Sequence, residues 1–380
     1  MFQLKRNDII PQLDILSMVP PKLGIPSSQY FWVRGNGSKV YLSGSSYVGG
    51  EISLKGKGTW PFKDDFYLDR SMFLPFIMAA RELKDKHTFK FEKKGKQLVV
   101  THGNRKVSFD SQPHVKGYGN AHRILKNMDT TIPISEDLKD MLVCGKNCAV
   151  SDSVVPELDC VYLQKSTSGV GIKLYASSEK VVYIGTGKLN EGKITASIPF
   201  PLYLINLLEA HGLKKILCAG KYVVLQFEHG LIWQPVSQKA IKDFPVKKIR
   251  IHAKIGEKQK VTFVASSRRF ARLMLRLGYY LQSVRRKDWV VNVTGKKGSS
   301  IIDVNTSIAG AKFSEKISTS DVIHKDFKLE WPLHILEPIF GYLSKKTKKL
   351  GVIVKVDDKH GVSYVTVGSY WIACPSKQDN

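Results

Sequence analysis

The stretch SSRRFARLMLRLGYYLQSV, residues 266–284, carries the clearest helix pattern in the chain. Its apolar residues recur at steps of three and four, which places on one face Phe270, Leu273, Leu277, Leu281 and Val284. Ser266 or Ser267 can cap the N-terminus of this helix. Off the apolar face stand four arginines, Arg268, Arg269, Arg272 and Arg276. A helix packed on a sheet through its apolar face would present these arginines together.

Helices and strands recur in the same order along the whole chain. The repeat is about 120 residues long and consists of an amphipathic helix, several short strands, a second apolar helix and more strands. Three such repeats contain too many residues for one compact hydrophobic core. One boundary follows the turn-rich segment QPHVKGYGNAH (112–122), and the other follows Pro245, which breaks regular structure. The sequence therefore predicts three domains, residues 1–126, 127–247 and 248–380.

The first two segments each supply two predicted helices. In the first they are Lys5 to Ser17, interrupted by Pro11, and Ser71 to Lys84, with Pro75 in its first turn. In the second, the N-terminal pattern Ser135-Glu136-Asp137-Leu138 opens one helix. The other follows Pro199 and Pro201 and stops at Gly212.

In the last segment, the helix over 266–284 has a predicted partner. This second helix is expected to begin at Trp331-Pro332 and to run to Lys345, Lys346, Lys348 and Lys349. Pro338 lies within it and should kink or split it.

Between the helices, apolar and polar residues alternate in short runs. Examples are KVYLSG (39–44), GIKLYAS (171–177), YVVLQFE (222–228) and GVIVKVD (351–357). Glycine and asparagine turns separate such runs, which is typical of antiparallel hairpins. The predicted class is α+β, with three repeated domains, each of two helices packed on antiparallel sheets.

The charge of the chain predicts a polyanionic partner. The 380 residues contain 59 Lys and Arg against 33 Asp and Glu, a formal net charge of +26. Residues 1–126 carry 21 cations and 10 anions (+11), residues 127–247 carry 13 and 12 (+1), and the rest carry 25 and 11 (+14). So large an excess favours nucleic acid over a membrane surface, although solubility alone is a simpler use of charge.

Several other classes of function have no support in the sequence. The N-terminus lacks the apolar core of a secretion signal, so the protein is expected in the cytoplasm. The five cysteines are too scattered for a disulfide framework and indicate buried thiols. Neither a metal-binding nor a catalytic motif is present, so no cofactor and no enzymatic activity are expected. A basic hairpin tip is the interpretation of Gly295–Ser300, and an unrecognised nuclease is the remaining enzymatic alternative.

Four short strings resemble the bacterial DNA polymerase III beta subunit, the replicative sliding clamp. Val155–Leu163 is similar to that family's P-x-L-x-x-V-x-L strand, and Ile172–Ser178 is similar to the next strand with its A-T-D turn. Asp243-Phe244-Pro245 stands at the place of the F-P-D segment, and Trp371–Pro375 resembles the terminal strand. Glu179-Lys180 departs from the pattern after the A-T-D turn. The basic composition also departs from it, and a divergent, phage-encoded clamp would fit.

The resemblance implies a DNA sliding clamp, or processivity factor, that acts in DNA replication. Two chains would pair head to tail as a homodimer and encircle double-stranded DNA, attracted by phosphates without reading bases. The candidate DNA-binding residues are Arg268, Arg269, Arg272, Arg276, Lys5, Arg6, Arg81, Lys84, Lys214, Lys215, Lys345 and Lys346. For each of them a merely solvated surface is the alternative. A monomeric clamp-like protein that binds DNA without encircling it, in transcription or DNA organisation, is the alternative function.

The resemblance also implies a groove between the middle and last domains. It would receive short linear peptides from a DNA polymerase and a clamp loader. The matching positions are Ser177, Val181, Val182, Pro245, Ile372, Cys374 and Pro375. Apolar residues at these positions would serve equally well as plain core.

Overall fold

The computed structural model describes most of the chain in two compact units. The described residues are 1–380 without 23, 83–86, 113, 115, 119–120, 127, 129, 150–157, 166–170, 179–180, 189–193, 195–196, 220, 282–289, 309–310, 334–335, 338, 341–350 and 376–380. Unit 1 consists mainly of Met1–Ile134 and Asn206–Val236. Unit 2 consists mainly of Ser135–Asn190, Ile194–Ile205 and Ser237–Asn380.

Strands dominate both units. In chain order they are β1 Phe2–Lys5, β2 Tyr30–Asn36, β3 Lys39–Ser45, β4 Gly49–Lys55, β5 Lys57–Gly58, β6 Phe66–Asp69, β7 Thr88–Lys94, β8 Gln97–His102, β9 Arg105–Asp110, β10 Thr130–Pro133, β11 Cys160–Lys165, β12 Gly171–Ser177, β13 Val182–Lys188, β14 Ile198–Pro201, β15 Leu213–Ala219, β16 Tyr222–Phe227, β17 Gly230–Pro235, β18 Val261–Ser266, β19 Val290–Gly295, β20 Ile301–Ile308, β21 Ala311–Ser318, β22 Phe327–Pro332, β23 Gly351–Asp357, β24 Val362–Val367 and β25 Tyr370–Pro375. The helices are α1 Arg6–Ser17, α2 Arg70–Met78, α3 Ala121–Lys126, α4 Glu136–Cys148, α5 Leu202–Ile205, α6 Gln238–Asp243, α7 Val246–Lys258 and α8 Ser267–Tyr280, with a short 3₁₀ turn at Pro26–Ser28. Among the described residues after β22, Leu333, Leu336, Glu337, Ile339 and Phe340 are also helical.

Unit 1 contains two antiparallel sheets. One has the strand order β5-β1-β7-β8-β9, and the other has the order β10-β15-β16-β17-β4-β3-β2-β6. The helix α1 packs on β4 and β17 through its apolar face, where Ile9, Leu13 and Leu16 are fully buried. Two glycine turns of the predicted kind join antiparallel neighbours: Gly37 lies between β2 and β3, Gly95 lies between β7 and β8, and both have φ of +59°.

Unit 2 also contains two antiparallel sheets. The larger has the order β14-β11-β12-β13-β25-β24-β23-β18, and the smaller has the order β21-β20-β19-β22. The pairing of β13 with β25, in which Val182 lies opposite Ala373, joins the strands of the middle segment to those of the last. This continuous sheet carries α4 on one face, where the Tyr183 hydroxyl donates to the Met141 carbonyl at 3.0 Å.

The two long helices that anchor the core of unit 2 follow the predicted patterns. Ser135 caps α4, and its side chain accepts from the backbone N–H of Leu138 at 3.2 Å. In α8, Phe270 is buried and meets the ring of Trp331 edge-on at 5.6 Å. Ser266 precedes α8, but its side chain makes no cap hydrogen bond, so that part of the prediction is wrong. The predicted end of this helix, 282–284, lies outside the described residues.

The helices of unit 1 differ from their predictions in extent. Pro11 does not interrupt α1, which is continuous across it because the missing N–H removes one bond while the buried face remains packed. In α2, Asp69 provides the cap by accepting from Ser71 N–H at 2.8 Å, and Pro75 lies in the second turn. Because α2 ends at Met78, Arg81 lies beyond the helix in a turn.

Three further predictions about helices need correction. Trp331-Pro332 ends the strand β22, because Trp331 lies opposite Val291 in the sheet ladder. The predicted partner helix therefore begins one residue later than expected, and its described residues Leu333, Leu336 and Phe340 are helical and buried. The helix after Pro201 is only the four-residue α5, and a turn leads from there to Gly212, whose φ is +80°. The expectation of two helices per segment misses the helices α3, α6 and α7.

Candidate nucleic-acid interface

The four predicted arginines of α8 form one exposed stripe. Arg268, Arg272 and Arg276 are four residues apart and therefore lie above one another on the helix surface, with Arg269 beside them. All four side chains are exposed, whereas the other face of α8 is buried. The structure thus brings together the cluster that the sequence predicted, and it does so with no acidic residue inside the helix.

The members of this stripe differ in their neighbours. Arg276 forms a bidentate ion pair with Glu315 of β21, in which Nε lies 3.1 Å from a carboxylate oxygen. Among the described residues, no carboxylate pairs with Arg268, Arg269 or Arg272. These three guanidinium groups are consequently the ones left to attract an external anion.

The predicted DNA-binding residues of unit 1 do not form a comparable stripe. Lys5 is exposed at the end of β1, and Arg6, at the first position of α1, donates to the Ala80 carbonyl at 3.5 Å. Arg81 is paired with Asp14 of α1. That ion pair lowers the charge that Arg81 can offer to DNA.

The strand β15 carries the two remaining described candidates. Lys214 is exposed and its ammonium lies 3.7 Å from a carboxylate oxygen of Glu228, while Lys215 is half-buried. Both stand on a strand rather than at the end of a helix. Lys84, Lys345 and Lys346 lie outside the described residues.

The small sheet of unit 1 carries a dense group of exposed cations. The strands β7 to β9 and their turns carry exposed cations at Lys90, Lys93, Lys94, Lys96, Arg105 and Lys106. By contrast, the exposed positions of α1 include Asp8 and no Lys or Arg among residues 7–17. The helices of the first segment are therefore not the main carriers of its charge of +11.

The predicted peptide-groove residues divide between the two faces of the larger sheet of unit 2. Successive residues of a strand point to opposite faces, and directly opposed residues of neighbouring strands share a face. Val182 and Ala373 are therefore on one face, and Tyr183 and Ile372 are on the other.

Burial follows this division of the predicted groove. Ile372 and Cys374 are buried on the α4 face, and the Cys374 thiol lies 3.2 Å from the Ser363 hydroxyl. Val181 is also fully buried, whereas Pro375 is exposed. Pro245 is half-buried and precedes α7 directly. Ser177 and Val182 lie on the face that carries α7, and so does Pro375, two residues beyond Ala373 on the same strand.

The face of the sheet that carries Val182 is covered by α6 and α7. A buried cluster there contains Leu158, Cys160, Tyr162, Tyr175, Ala240, Phe244 and Ile249, and Val182, Ile184 and Val246 pack against it. The rings of Tyr162 and Phe244 stack at 4.7 Å and 9°. Burial of these rings fixes α6 and the start of α7 on the sheet.

The helix α7 is a basic helix that the sequence did not predict. It carries five cations, Lys247, Lys248, Arg250, Lys254 and Lys258, against Glu257 alone. Its buried or half-buried residues Val246, Ile249, Ala253 and Gly256 recur at three- and four-residue steps, which is the pattern that could have identified it. Pro245, which predicts a break in regular structure, directly precedes this pattern.

The cysteines have the buried environment that the sequence predicted. All five are free and buried. Burial raises the pKa of the Cys374 thiol to about 12, although its hydrogen bond with Ser363 lowers it in part. Burial also raises the pKa of Cys144 and Cys148 well above the ordinary value. Within the described ranges, no three His, Cys, Asp or Glu side chains are placed to share a metal ion.

Among the described residues, no helix combines the length and hydrophobicity that crossing a lipid bilayer would require. No family model matches the sequence, and no curated protein matches it. The fold itself does match solved structures over its full length.

Three of these structures illustrate the likeness. The DNA polymerase III subunit beta from Pseudomonas aeruginosa superposes with a TM-score of 0.79 at 10% identity, over 100% of both chains. The DNA polymerase sliding clamp from Caulobacter crescentus gives 0.79 at 12% identity, over 100% of this chain and 99% of that one. The beta subunit from Thermotoga maritima gives 0.77 at 13% identity, with the same coverage. The chain has the sliding-clamp fold.

The full-length match confirms the predicted α+β class and the predicted resemblance to the beta subunit. Because the identity is only 10–13%, the sliding-clamp fold here is built from largely different residues. A Pseudomonas aeruginosa sliding clamp is also known bound to griselimycin, and it gives a TM-score of 0.75 with this chain.

Proposed function

We propose that this protein is a non-enzymatic DNA sliding clamp that pairs head to tail as a homodimer and encircles duplex DNA in the cytoplasm. The observation that carries the proposal is the likeness to DNA polymerase sliding clamps over the whole chain. The three-domain division at residues 126 and 247 is part of the same proposal.

The arginine stripe of α8 supports the DNA-facing part of this proposal. A closed ring needs only a weak, sequence-independent attraction to phosphate, because enclosure and not affinity keeps it on DNA. Exposed guanidinium groups that lack an internal carboxylate partner provide such an attraction. A polymerase and a clamp loader are the proposed clients, held through linear peptides.

Topological retention is the property that tests encirclement. A duplex fixed to a bead at one end admits a ring over its free end, so loading needs no second protein. A bulky protein bound at the free end afterwards should trap the ring through a wash at about 1 M salt, which removes electrostatic binding. A cut within the duplex should then release the trapped protein.

The matched control uses the same DNA with the free end blocked before the protein is added. A ring should be retained on the DNA only when the free end is blocked after the protein has been added. Equal recovery for both orders, or none after the wash in either, contradicts encirclement and favours the monomeric, non-encircling DNA-binding protein.

A further inference from the structure

The helix α7 lies across the junction between β13 and β25. Near its start, Ile249 belongs to the buried cluster that includes Tyr162 of β11. Near its end, Gly256 lies against the Tyr364 ring of β24, and the Lys355 ammonium of β23 donates to the Glu257 carbonyl at 3.1 Å. The helix therefore runs over the strands from the middle segment to those from the last segment.

One row of sheet residues lies beneath α7. Ser177, Val182, Ala373 and Tyr364 are successive directly opposed partners on β12, β13, β25 and β24, so they share one face. Ser177, Ala373 and Tyr364 are at most 6% exposed, and Val182 is half-buried. On this face, the row that contains two predicted groove residues is thus occupied by the chain's own helix.

The next row along the same strands remains open. Tyr175, Ile184, Trp371 and Thr366 are again successive partners, and all but Tyr175 are half-exposed. They form the floor of a groove of ≈ 650 Å³. Its wall is one face of α7, at Arg250, Ala253, Lys254 and Glu257, and Lys173 lies at its edge. We name this cavity the α7 groove.

The chemistry of the α7 groove combines an apolar floor with a positive wall. Ile184, Ala253 and the Trp371 ring, which stacks on Tyr364 at 5.5 Å, supply apolar surface. Lys173, Arg250 and Lys254 are opposed by Glu257 alone. Arg250 is held in place, because its guanidinium donates to the Tyr175 hydroxyl at 3.1 Å and to the Gln164 side chain at 2.7 Å.

The size of the groove limits its occupant. Seven residues of helix separate Arg250 from Glu257, which is about 10 Å at the helical rise and spans about three residues of extended chain. Such a length suits a short linear motif. It does not suit single-stranded nucleic acid, which needs a longer basic track and would meet the Glu257 carboxylate in the wall.

We propose that the α7 groove binds an acidic linear peptide whose aromatic or branched apolar residue packs on Ile184 and Trp371, with its carboxylates facing Lys254 and Lys173. This deepens the client-peptide part of the proposed function and rests on it. The proposed docking surface is therefore the open row that contains Ile184 and Trp371, and not the neighbouring row that contains Val182 and Ala373, which α7 covers.

A fluorescein-labelled peptide Asp-Asp-Leu-Phe-Asp-Asp serves as the probe for the full-length protein. With 5-fluorotryptophan incorporated, the ¹⁹F signal of Trp371 is assigned by its loss in Trp371→Phe, and the probe should shift it. A probe with Gly-Gly in place of Leu-Phe should not. Fluorescence anisotropy then gives the dissociation constant.

Variants of α7 test the charged wall. Lys254→Glu should weaken probe binding about tenfold, since it replaces an attractive charge by a repulsive one. Lys258→Glu makes the same charge change on the same helix outside the groove, and it should alter binding by less than about twofold.

Three outcomes would overturn the proposal. They are an unshifted Trp371 signal, equal weakening by Lys258→Glu, and a larger Trp371 shift with oligo-dT than with the peptide. Retention on end-blocked DNA is measured without any peptide, so a failed ring and a failed groove remain distinguishable.

Discussion

The three unpaired arginines of α8, Arg268, Arg269 and Arg272, set the expected salt dependence of DNA binding. Each phosphate contact contributes about 0.9 to the slope of log K against log[salt]. Replacing all three with Ala should therefore lower the slope by about 2 to 3 and weaken binding to a 30-base-pair duplex. Arg276→Ala should have a smaller effect because Glu315 already shares its guanidinium. Fluorescence anisotropy titrations between about 50 and 200 mM salt measure the affinity and the salt slope for each variant.

A charge-matched control separates local contact from net charge. Lys93, Lys94 and Lys96 are exposed around the β7–β8 turn, so their triple replacement by Ala removes the same charge. If that variant loses as much of the salt slope as the arginine variant, the α8 stripe is not a preferred DNA contact.

The buried thiols give a second expectation for individual residues. With the pKa of Cys374 at about 12, only about one part in ten thousand would be thiolate at pH 8 even if reagent could enter. The native protein should therefore leave its five cysteines unlabelled by Ellman's reagent, and denaturant should release all five. Rapid native labelling of even one thiol would contradict the burial described here.

Single residues show how far the sequence could predict the site. The arginine stripe follows from local helical spacing, so it was predictable. The ion pair of Arg276 with Glu315 joins positions 39 apart, and no local pattern encodes it. The same holds for Arg81 and Asp14, which are 67 apart. Long-range pairing thus decides which predicted cations remain available.

At the scale of elements, the strands with clear alternation were predictable, and helix ends next to proline were not. GVIVKVD coincides with β23, where alternation and burial agree. The predicted interruption at Pro11 is wrong, and Pro75 lies one turn later in its helix than predicted, because tertiary packing maintains a helix that local propensity disfavours. Pro245 predicted a break in regular structure, but in the structure it directly precedes α7 and the helix begins at Val246.

Gly256 tests how tightly α7 packs on the sheet. Alanine is favoured over glycine in a helix by about 1 kcal/mol. A Cβ at Gly256, however, would lie 2.6 Å from Cδ1 of Tyr364, and such overpacking costs about 1–3 kcal/mol. Gly256→Ala should therefore lower the free energy of unfolding in urea and speed hydrogen exchange over 246–258.

The partner substitution Tyr364→Leu gives the control for this effect. Without the ring, the added Cβ has space, so the double variant should be more stable than the sum of the two single effects predicts, by about 1 kcal/mol. Strict additivity, or unchanged exchange in α7, would show that the helix is not held against Tyr364.

At the scale of the whole molecule, the repeat of elements and the strings that resemble the beta subunit together predicted the sliding-clamp fold. They did not predict which strands of the middle segment pair with strands of the last. The eight-stranded sheet of unit 2 depends on β13 pairing with β25, across nearly 190 positions of sequence. Neither strand differs locally from an edge strand, so nothing in their composition indicates this partner. The boundaries at residues 126 and 247 stay a prediction.

The uneven charge of the chain makes a prediction about the proposed ring. Head-to-tail pairing would bring the first segment, at +11, against the last, at +14. Like charges at such a junction repel, and added salt screens that repulsion. The dimer should therefore tighten as salt rises, whereas DNA binding by the same protein should weaken. The two responses have opposite signs because one interface repels and the other attracts.

Sedimentation analysis at about 50, 150 and 500 mM NaCl measures the dimer dissociation constant, with 42.7 kDa as the mass of one chain. Replacing Lys93, Lys94 and Lys96 by Glu lowers the charge of the first segment by six, so this variant should dimerise more tightly than the parent at low salt and lose most of its salt response. A dimer that dissociates as salt rises would instead indicate attractive ion pairs at the junction. A protein that stays monomeric at all three salt concentrations would contradict ring closure without a second protein. Repulsion between the positively charged first and last segments would then be the physical reason that the dimer does not form.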